Sequence, residues 1–262
     1  MTWSGVDLYR RTPLGVPTFL TVKNQMRLTI VQTGEVPEPL RPTFGPYPTM
    51  FERMFNGTGG HFDYEVVTAH DNSLLPDPSR IEGIVITGSP AGVYEDHDWL
   101  PPLREFIRRA YAAKTPMLGI CFGHQIMADA LGGDVRKSEK GWGLGRHTYR
   151  VTGRPGFMLD APESLSIACS HQDQVIAPPS EAEVLLASDF TPNAGLFYKS
   201  GKALSFQPHP EFLDDYALAL VELRRGKAPE AVVEEGVASF ARTSDSAKMA
   251  DYIGKFFSET GA

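Results

Sequence analysis

Apolar residues in the first half of this chain gather into short runs bounded by turn residues. Arg27-Leu28-Thr29-Ile30-Val31-Gln32 is the first, residues 64–68 and 83–87 are the next two, and Thr115-Pro116-Met117-Leu118 leads to a fourth that ends at Cys121. Runs this short, apolar on both alternating sets of positions, read as strands buried on both faces. Between them the period changes. Residues 50–55 form a compact apolar and polar turn of helix, and Leu103, Phe106, Ile107, Ala110 and Tyr111 recur at helical spacing. A further helix is predicted after Cys121, over Ile126-Met127-Ala128-Asp129-Ala130-Leu131. Strand alternating with helix implies right-handed crossovers and a parallel sheet.

Beyond that helix the pattern becomes β-rich near 147–151, 165–168, 184–187, 196–198 and 203–206, then helical again. Leu213, Ala217, Leu220 and Val221 share one helical face, as do Met249, Ile253, Phe256 and Phe257, with a break over 226–229. Pro37, Pro39, Pro42, Pro46 and Pro48 crowd one stretch, which reads as irregular loop. Residues 1–25 show no sustained period and read as an N-terminal extension. The expected organisation is one α/β domain over 26–215, an open and mostly parallel sheet flanked by helices, with a C-terminal helical extension over 216–262 packed on the same domain.

Composition narrows the class without fixing it. With 262 residues, 42% hydrophobic and 22% charged, the chain can bury a sizeable core. A formal charge of −7 argues against nucleic-acid binding through bulk electrostatics. No run approaches the roughly eighteen apolar residues that span a bilayer, so no membrane partner is expected. The first residues lack the pattern of a secretory signal, so a cytoplasmic setting is expected. Cys and His spacing matches no metal site, and no glycine-rich phosphate loop occurs, so neither metal nor cofactor is expected.

Two cysteines are present, Cys121 and Cys169. Cys169 ends an apolar run and reads as a small core residue. Cys121 lies in Gly119-Ile120-Cys121-Phe122-Gly123-His124-Gln125, on a tight turn between a buried strand and a helix. There the helix N-terminus favours a thiol's anion, and flanking glycines relieve crowding, as in a nucleophile elbow. A thiolate nucleophile needs a base, and Ser205-Phe206-Gln207-Pro208-His209-Pro210-Glu211-Phe212 offers one. His209 and Glu211 are two apart, so in an extended segment both face one side, the carboxylate fixing the imidazole tautomer. The adjacent prolines are expected to hold the pair extended.

GICFGHQ followed by SFQPHPEF resembles the class I glutamine amidotransferases. Ile84-Val85-Ile86-Thr87-Gly88-Ser89-Pro90 and Ser170-His171-Gln172-Asp173-Gln174-Val175 resemble two further motifs of that family, in the same order. The resemblance, over about residues 27–212, implies a flavodoxin-like α/β fold and a catalytic triad of Cys121, His209 and Glu211. It implies an oxyanion hole from the backbone N–H groups of Gly88 and Phe122, and substrate binding by Gln125, Ser170 and His171. Trp142, with Gly141, Gly143 and Gly145, resembles a turn lining the glutamine pocket, although many relatives carry an acidic residue there and the nearest here is Glu139. His124 is read as starting a helix, and Arg108-Arg109 and Arg224-Arg225 as solvated helix-face charges.

The leading functional reading is hydrolysis of the glutamine side-chain amide to glutamate and ammonia through a glutamyl thioester, with ammonia passed to a separate synthetase partner. The synthetase half is absent from the chain, as in stand-alone members similar to the glutaminase part of GMP synthase. The alternative is a stand-alone γ-glutamyl peptidase, with the same chemistry and a larger leaving group. A third reading is a non-catalytic regulatory protein that retains the fold.

Overall fold

The computed structural model describes residues 26–260, so the N-terminal extension predicted over 1–25 lies outside the described residues. In chain order the elements begin with β1 (Met26–Gln32), α1 (Arg41–Phe44), α2 (Tyr47–Asn56), β2 (Phe62–Thr68), β3 (Gly83–Ile86) and α3 (Leu100–Ala112). The middle comprises β4 (Met117–Ile120), α4 (Phe122–Ala130), β5 (Asp134–Lys137), β6 (Gly143–Val151), β7 (Ser164–His171) and β8 (Asp173–Ala177). β9 (Ala182–Ala187), β10 (Gly195–Tyr198) and β11 (Ala203–Phe206) precede three helices, α5 (Asp214–Glu222), α6 (Glu230–Ala238) and α7 (Ser246–Thr260).

A nine-stranded sheet runs in the order β2-β1-β3-β4-β11-β10-β9-β6-β7. Its first five strands are mutually parallel, and from β11 onward neighbours pair antiparallel. The inner strands β3 and β4 read as unbroken apolar runs because both faces are covered, whereas the edge strand β2 is largely open to solvent. Leu28, Ile30, Val85, Leu118 and Ile120 join Phe55, Phe256 and Phe257 of α2 and α7 on one side. Val31, Ile84, Ile86 and Met117, the alternate positions, join Leu103, Phe106, Phe122 and Ile126 of α3 and α4 on the other.

The proline-rich stretch departs from expectation, since α1 and the start of α2 lie within it. Pro42 and Pro48 each stand second in their helix, where the missing N–H has no acceptor to forgo and the fixed φ suits the first turn. Two strands escaped the apolar pattern. β5 and β8 form a separate antiparallel pair joined through Val135 opposite Val175.

Of the C-terminal helices, α7 joins the main core, whereas α5 and α6 pack in smaller hydrophobic clusters beside it. Phe257 of α7 packs edge-on against Phe55 and Phe62 at ring distances of 5.8 and 6.4 Å. Ala217, Leu220 and Val221 of α5 are buried, whereas Leu213, predicted on that face, is exposed at the helix entrance. Arg146 of β6, fully buried, ties the region down by pairing with Asp214 and donating to the carbonyls of Phe240 and Arg242. α6 lies so close that a Cβ at Gly145, whose φ is +82°, would meet the Gly236 carbonyl at 2.4 Å. Among the described residues no helix is long and apolar enough to cross a membrane.

Candidate active site

Gly88, Cys121 and His209 follow the carboxyl ends of β3, β4 and β11, three adjacent parallel strands, so sheet topology gathers them at one edge. Cys121 sits on the turn into α4 with φ 53° and ψ −103°, a conformation L-residues rarely adopt. Both flanking glycines answer to crowding. A Cβ at Gly119 would lie 2.4 Å from the Gly123 carbonyl oxygen, and one at Gly123 would lie 2.2 Å from that of Ile86. The chain therefore turns sharply while α4 presses against β3 and β4.

His209 and Glu211 meet through a turn, not an extended segment as predicted. The Phe212 N–H donates to the His209 carbonyl at 3.4 Å, with Pro210 in the turn position that favours its fixed φ. Within this turn His209 Nδ1 donates to Glu211 Oε1 at 2.7 Å, which leaves Nε2 as the other reactive nitrogen. The imidazole stacks face to face on Phe212 at 3.9 Å and 7°, and Phe212 is backed edge-on by Tyr216 at 4.6 Å. Burial disfavours the charged ring, but the Glu211 carboxylate and the Cys121 sulfur outweigh it and push the pKa up to about 10. At neutral pH an imidazolium therefore faces the sulfur.

Gly88 marks where the two meet. A Cβ there would stand 3.3 Å from His209 Cε1 and 3.8 Å from Cys121 Cβ. The Gly88 carbonyl accepts from the Thr87 hydroxyl at 3.1 Å and from Thr33 at 3.2 Å. Its own N–H and that of Phe122 find no acceptor among the described residues, so both stay available beside Cys121.

Two clefts share Cys121, Ser89, Pro90, Ser170 and Arg224. One, of about 130 Å³, is polar and runs past Gln125, His171, Asp173, Glu95, Lys137 and Trp142. The other, of about 210 Å³, opens on the His209 side between Tyr47, Phe212, Leu220 and Pro37. Gln125 Nε2 donates to the Asp173 carbonyl at 2.9 Å and to Gln207 Oε1 at 3.1 Å, which fixes its amide at the first cleft. His171 Nδ1 donates to the Asp173 carbonyl at 3.0 Å, whereas its buried Nε2 and the buried Ser170 hydroxyl have no protein partner among the described residues. Ser170, His171 and Gln125 are thus brought together at one wall.

The other residues singled out in the sequence divide between expected and unexpected places. His124 lies in α4 and is fully buried, its Nε2 donating to the Asn193 carbonyl at 3.0 Å and its Nδ1 accepting from Ser205 Oγ at 2.8 Å. Burial lowers its pKa to about 3, so it stays neutral. Cys169 is buried in β7 and unpaired. Glu139 does not reach the clefts, whose carboxylates are Glu95 and Asp173 in the first and Glu35 in the second. Of the Arg224-Arg225 pair only Arg225 is the solvated charge predicted, bridging Glu222, Glu230 and Glu234. Arg224 turns inward, its guanidinium 4.7 Å above the Trp142 ring. Helical spacing carried the missed signal, since Arg224 continues the buried row Ala217, Leu220, Val221.

Comparison with known proteins gives this edge of the sheet a setting. The chain is 31% identical over 204 residues to γ-glutamyl peptidase 2 of Arabidopsis thaliana, covering 77% of this chain and 82% of that protein. It is 38% identical over 136 residues to the glutamine-hydrolysing GMP synthase of Leifsonia xyli, covering 50% of this chain and 26% of that one. A glutamine amidotransferase structure from Thermotoga maritima superposes with a TM-score of 0.67 at 20% identity, over 90% of this chain and 98% of that one, a likeness of fold. The model of the class-I glutamine amidotransferase family matches residues 54–215, and the chain belongs to that family.

Proposed function

We propose that this protein is a cysteine-dependent hydrolase of γ-glutamyl amide bonds whose leaving group is an amino acid or peptide amine. The observation that carries the reading is the cleft on the His209 side of Cys121, about 210 Å³ in volume. A water-sized molecule such as ammonia needs only about 10–15 Å³ by the same kind of measure. Similarity to γ-glutamyl peptidases over more than three quarters of the chain supports the same conclusion.

In the proposed reaction the Cys121 sulfur, as the thiolate, attacks the γ-carbonyl carbon. A C–S bond forms and the carbonyl π electrons move to oxygen, where the N–H groups of Gly88 and Phe122 stabilise the negative charge. As the oxyanion collapses the C–N bond breaks, and His209 Nε2 delivers its proton to the departing nitrogen. The neutral imidazole then takes a proton from water, which attacks the thioester. Collapse of this second intermediate releases glutamate and the thiolate, with His209 again charged. Glu211 holds the tautomer and stabilises the imidazolium. Gln125, Ser170 and His171 hold the γ-glutamyl half, Lys137 and Asp173 offering opposite charges to its α-carboxylate and α-ammonium. The free thiols suit a reducing compartment, the cytoplasm.

The similarity to GMP synthase favours a second reading, glutamine hydrolysis with ammonia passed to a separate synthetase partner. Purified protein assayed on γ-glutamylglycine, glutathione and glutamine separates the two, with glutamate, amine and ammonia quantified. The proposal expects amine release from the γ-glutamyl peptides, abolished in Cys121→Ala. Ammonia from glutamine with both peptides left intact would refute it.

A further inference from the structure

Arg224 is a half-buried cation without an anion. It forms no hydrogen bond or ion pair through its guanidinium among the described residues, and its buried Nε is unpartnered. Burying such a group is unfavourable unless a counter-charge or acceptor completes it. Its neighbour Arg225 has three carboxylates, so acidic residues are not scarce nearby. The guanidinium is nonetheless held in place, stacked over Trp142 at 4.7 Å, and it borders both clefts together with Cys121. Tyr47 lines the cleft beside His209. Glu35, the acidic residue on that cleft, is occupied elsewhere, accepting from Gln32 at 2.9 Å and pairing with His70 at 3.4 Å.

We infer that Arg224 is the specificity residue for the leaving group, binding the carboxylate of the amino acid or peptide released from the γ-glutamyl bond. This inference rests on the γ-glutamyl hydrolase reading above. The proton donor His209 must face the departing nitrogen, so the cleft next to it receives the rest of that amine. A planar guanidinium bordering this cleft, restricted by an aromatic face and lacking a protein acceptor, is suited to a carboxylate near that nitrogen. The acyl half has its own cation in Lys137. The substrates selected are therefore γ-glutamyl amino acids and short γ-glutamyl peptides, ahead of γ-glutamyl amines that lack a carboxylate.

The test compares γ-glutamylglycine with γ-glutamylethylamide, close in size but differing in the carboxylate. Wild-type protein is expected to favour the dipeptide in kcat/KM by more than about 10-fold, and Arg224→Gln to lower that ratio by about 10–100-fold, largely through KM. Arg224→Lys should retain part of the preference, since charge persists while the fork is lost. A ratio unchanged by Arg224→Gln, whether both rates fall together or neither falls, would overturn the assignment. So would wild-type protein that treats the two substrates alike, a result independent of how any variant folds. Wild-type protein inactive on both while hydrolysing glutamine would instead overturn the hydrolase reading itself, and is recognised before any variant is made.

Discussion

Cys121 carries backbone strain that can be measured apart from its chemistry. Its φ of 53° with ψ −103° is a conformation that costs a residue bearing a Cβ about 1–3 kcal/mol and a glycine almost nothing. Cys121→Ala retains that penalty, and Cys121→Gly releases it. At an ordinary buried site, replacing Ala by Gly costs about 0.5–1 kcal/mol in chain entropy. Loss of a buried methyl costs about 0.8 kcal/mol more, giving roughly 1.5 kcal/mol in all. At position 121 the relief offsets this, so the glycine variant should range from about 0.5 kcal/mol less stable than the alanine variant to about 1.5 kcal/mol more stable. Cys169 supplies the control, since it is also buried but lies in β7 without positive φ. Urea unfolding of the four variants gives the Ala-to-Gly difference at each position, and subtracting one from the other cancels the shared terms. The expected remainder is about 1–3 kcal/mol in favour of glycine at 121. A remainder below about 0.5 kcal/mol would refute the claim that the elbow is strained.

Further outcomes follow from the same geometry. Gly88→Ala puts a methyl 3.3 Å from His209 Cε1, a clash that a few tenths of an ångström relieve, so the variant should fold normally yet lose about 100-fold in kcat/KM. Retention of activity within about 3-fold would show that the reacting atoms do not pass this point. The His209 pKa is raised from 6.5 to about 10, so the stabilisation due to its charge is complete below about pH 6.5 and disappears as pH rises through about 10. Glu211→Gln removes the largest influence raising that pKa, so the alkaline limb of the kcat/KM profile should move to lower pH, and a limb that stays in place would exclude His209 as the group observed.

Much of the sheet was legible because burial on both faces writes a strand as a nearly unbroken apolar run, as in Ile84 to Ile86 and in Leu28 to Val31, where Thr29 is the one polar residue. The turn at Cys121 was legible for a different reason: the close approach at Gly119 and Gly123 permits no side chain, so glycine must appear there. β5 and β8 were hidden because a two-stranded ribbon buries little beyond Val135 and Val175, leaving no alternation to detect. The prolines at 42 and 48 misled because the same residue that breaks a helix interior also starts a helix well. His209 and Glu211 were correctly paired on incorrect geometry, since a spacing of two brings side chains together across a proline turn as well as along a strand.

The second cleft draws in part on segments outside the stretch that the family model matches. Tyr47 comes from α2 and precedes the part of the chain that the family model matches, while Leu220 and Arg224 follow it. Cys121, His209, Glu211, Gln125, Ser170 and His171 all lie within the matched part. On the proposed function, the acyl half of the site comes from the part of the sheet edge that the family model matches, and the leaving-group half draws also on flanking helices, of which α5 is tied down by the pairing of Arg146 with Asp214. A nucleophile elbow fixes which bond is attacked, because its strained backbone tolerates few alternatives. Flanking helices are held by side-chain packing and can change a lining residue without disturbing the elbow. On the proposed function, the scissile bond is set by residues 88–211, and flanking residues such as Arg224 bear on the choice of amine.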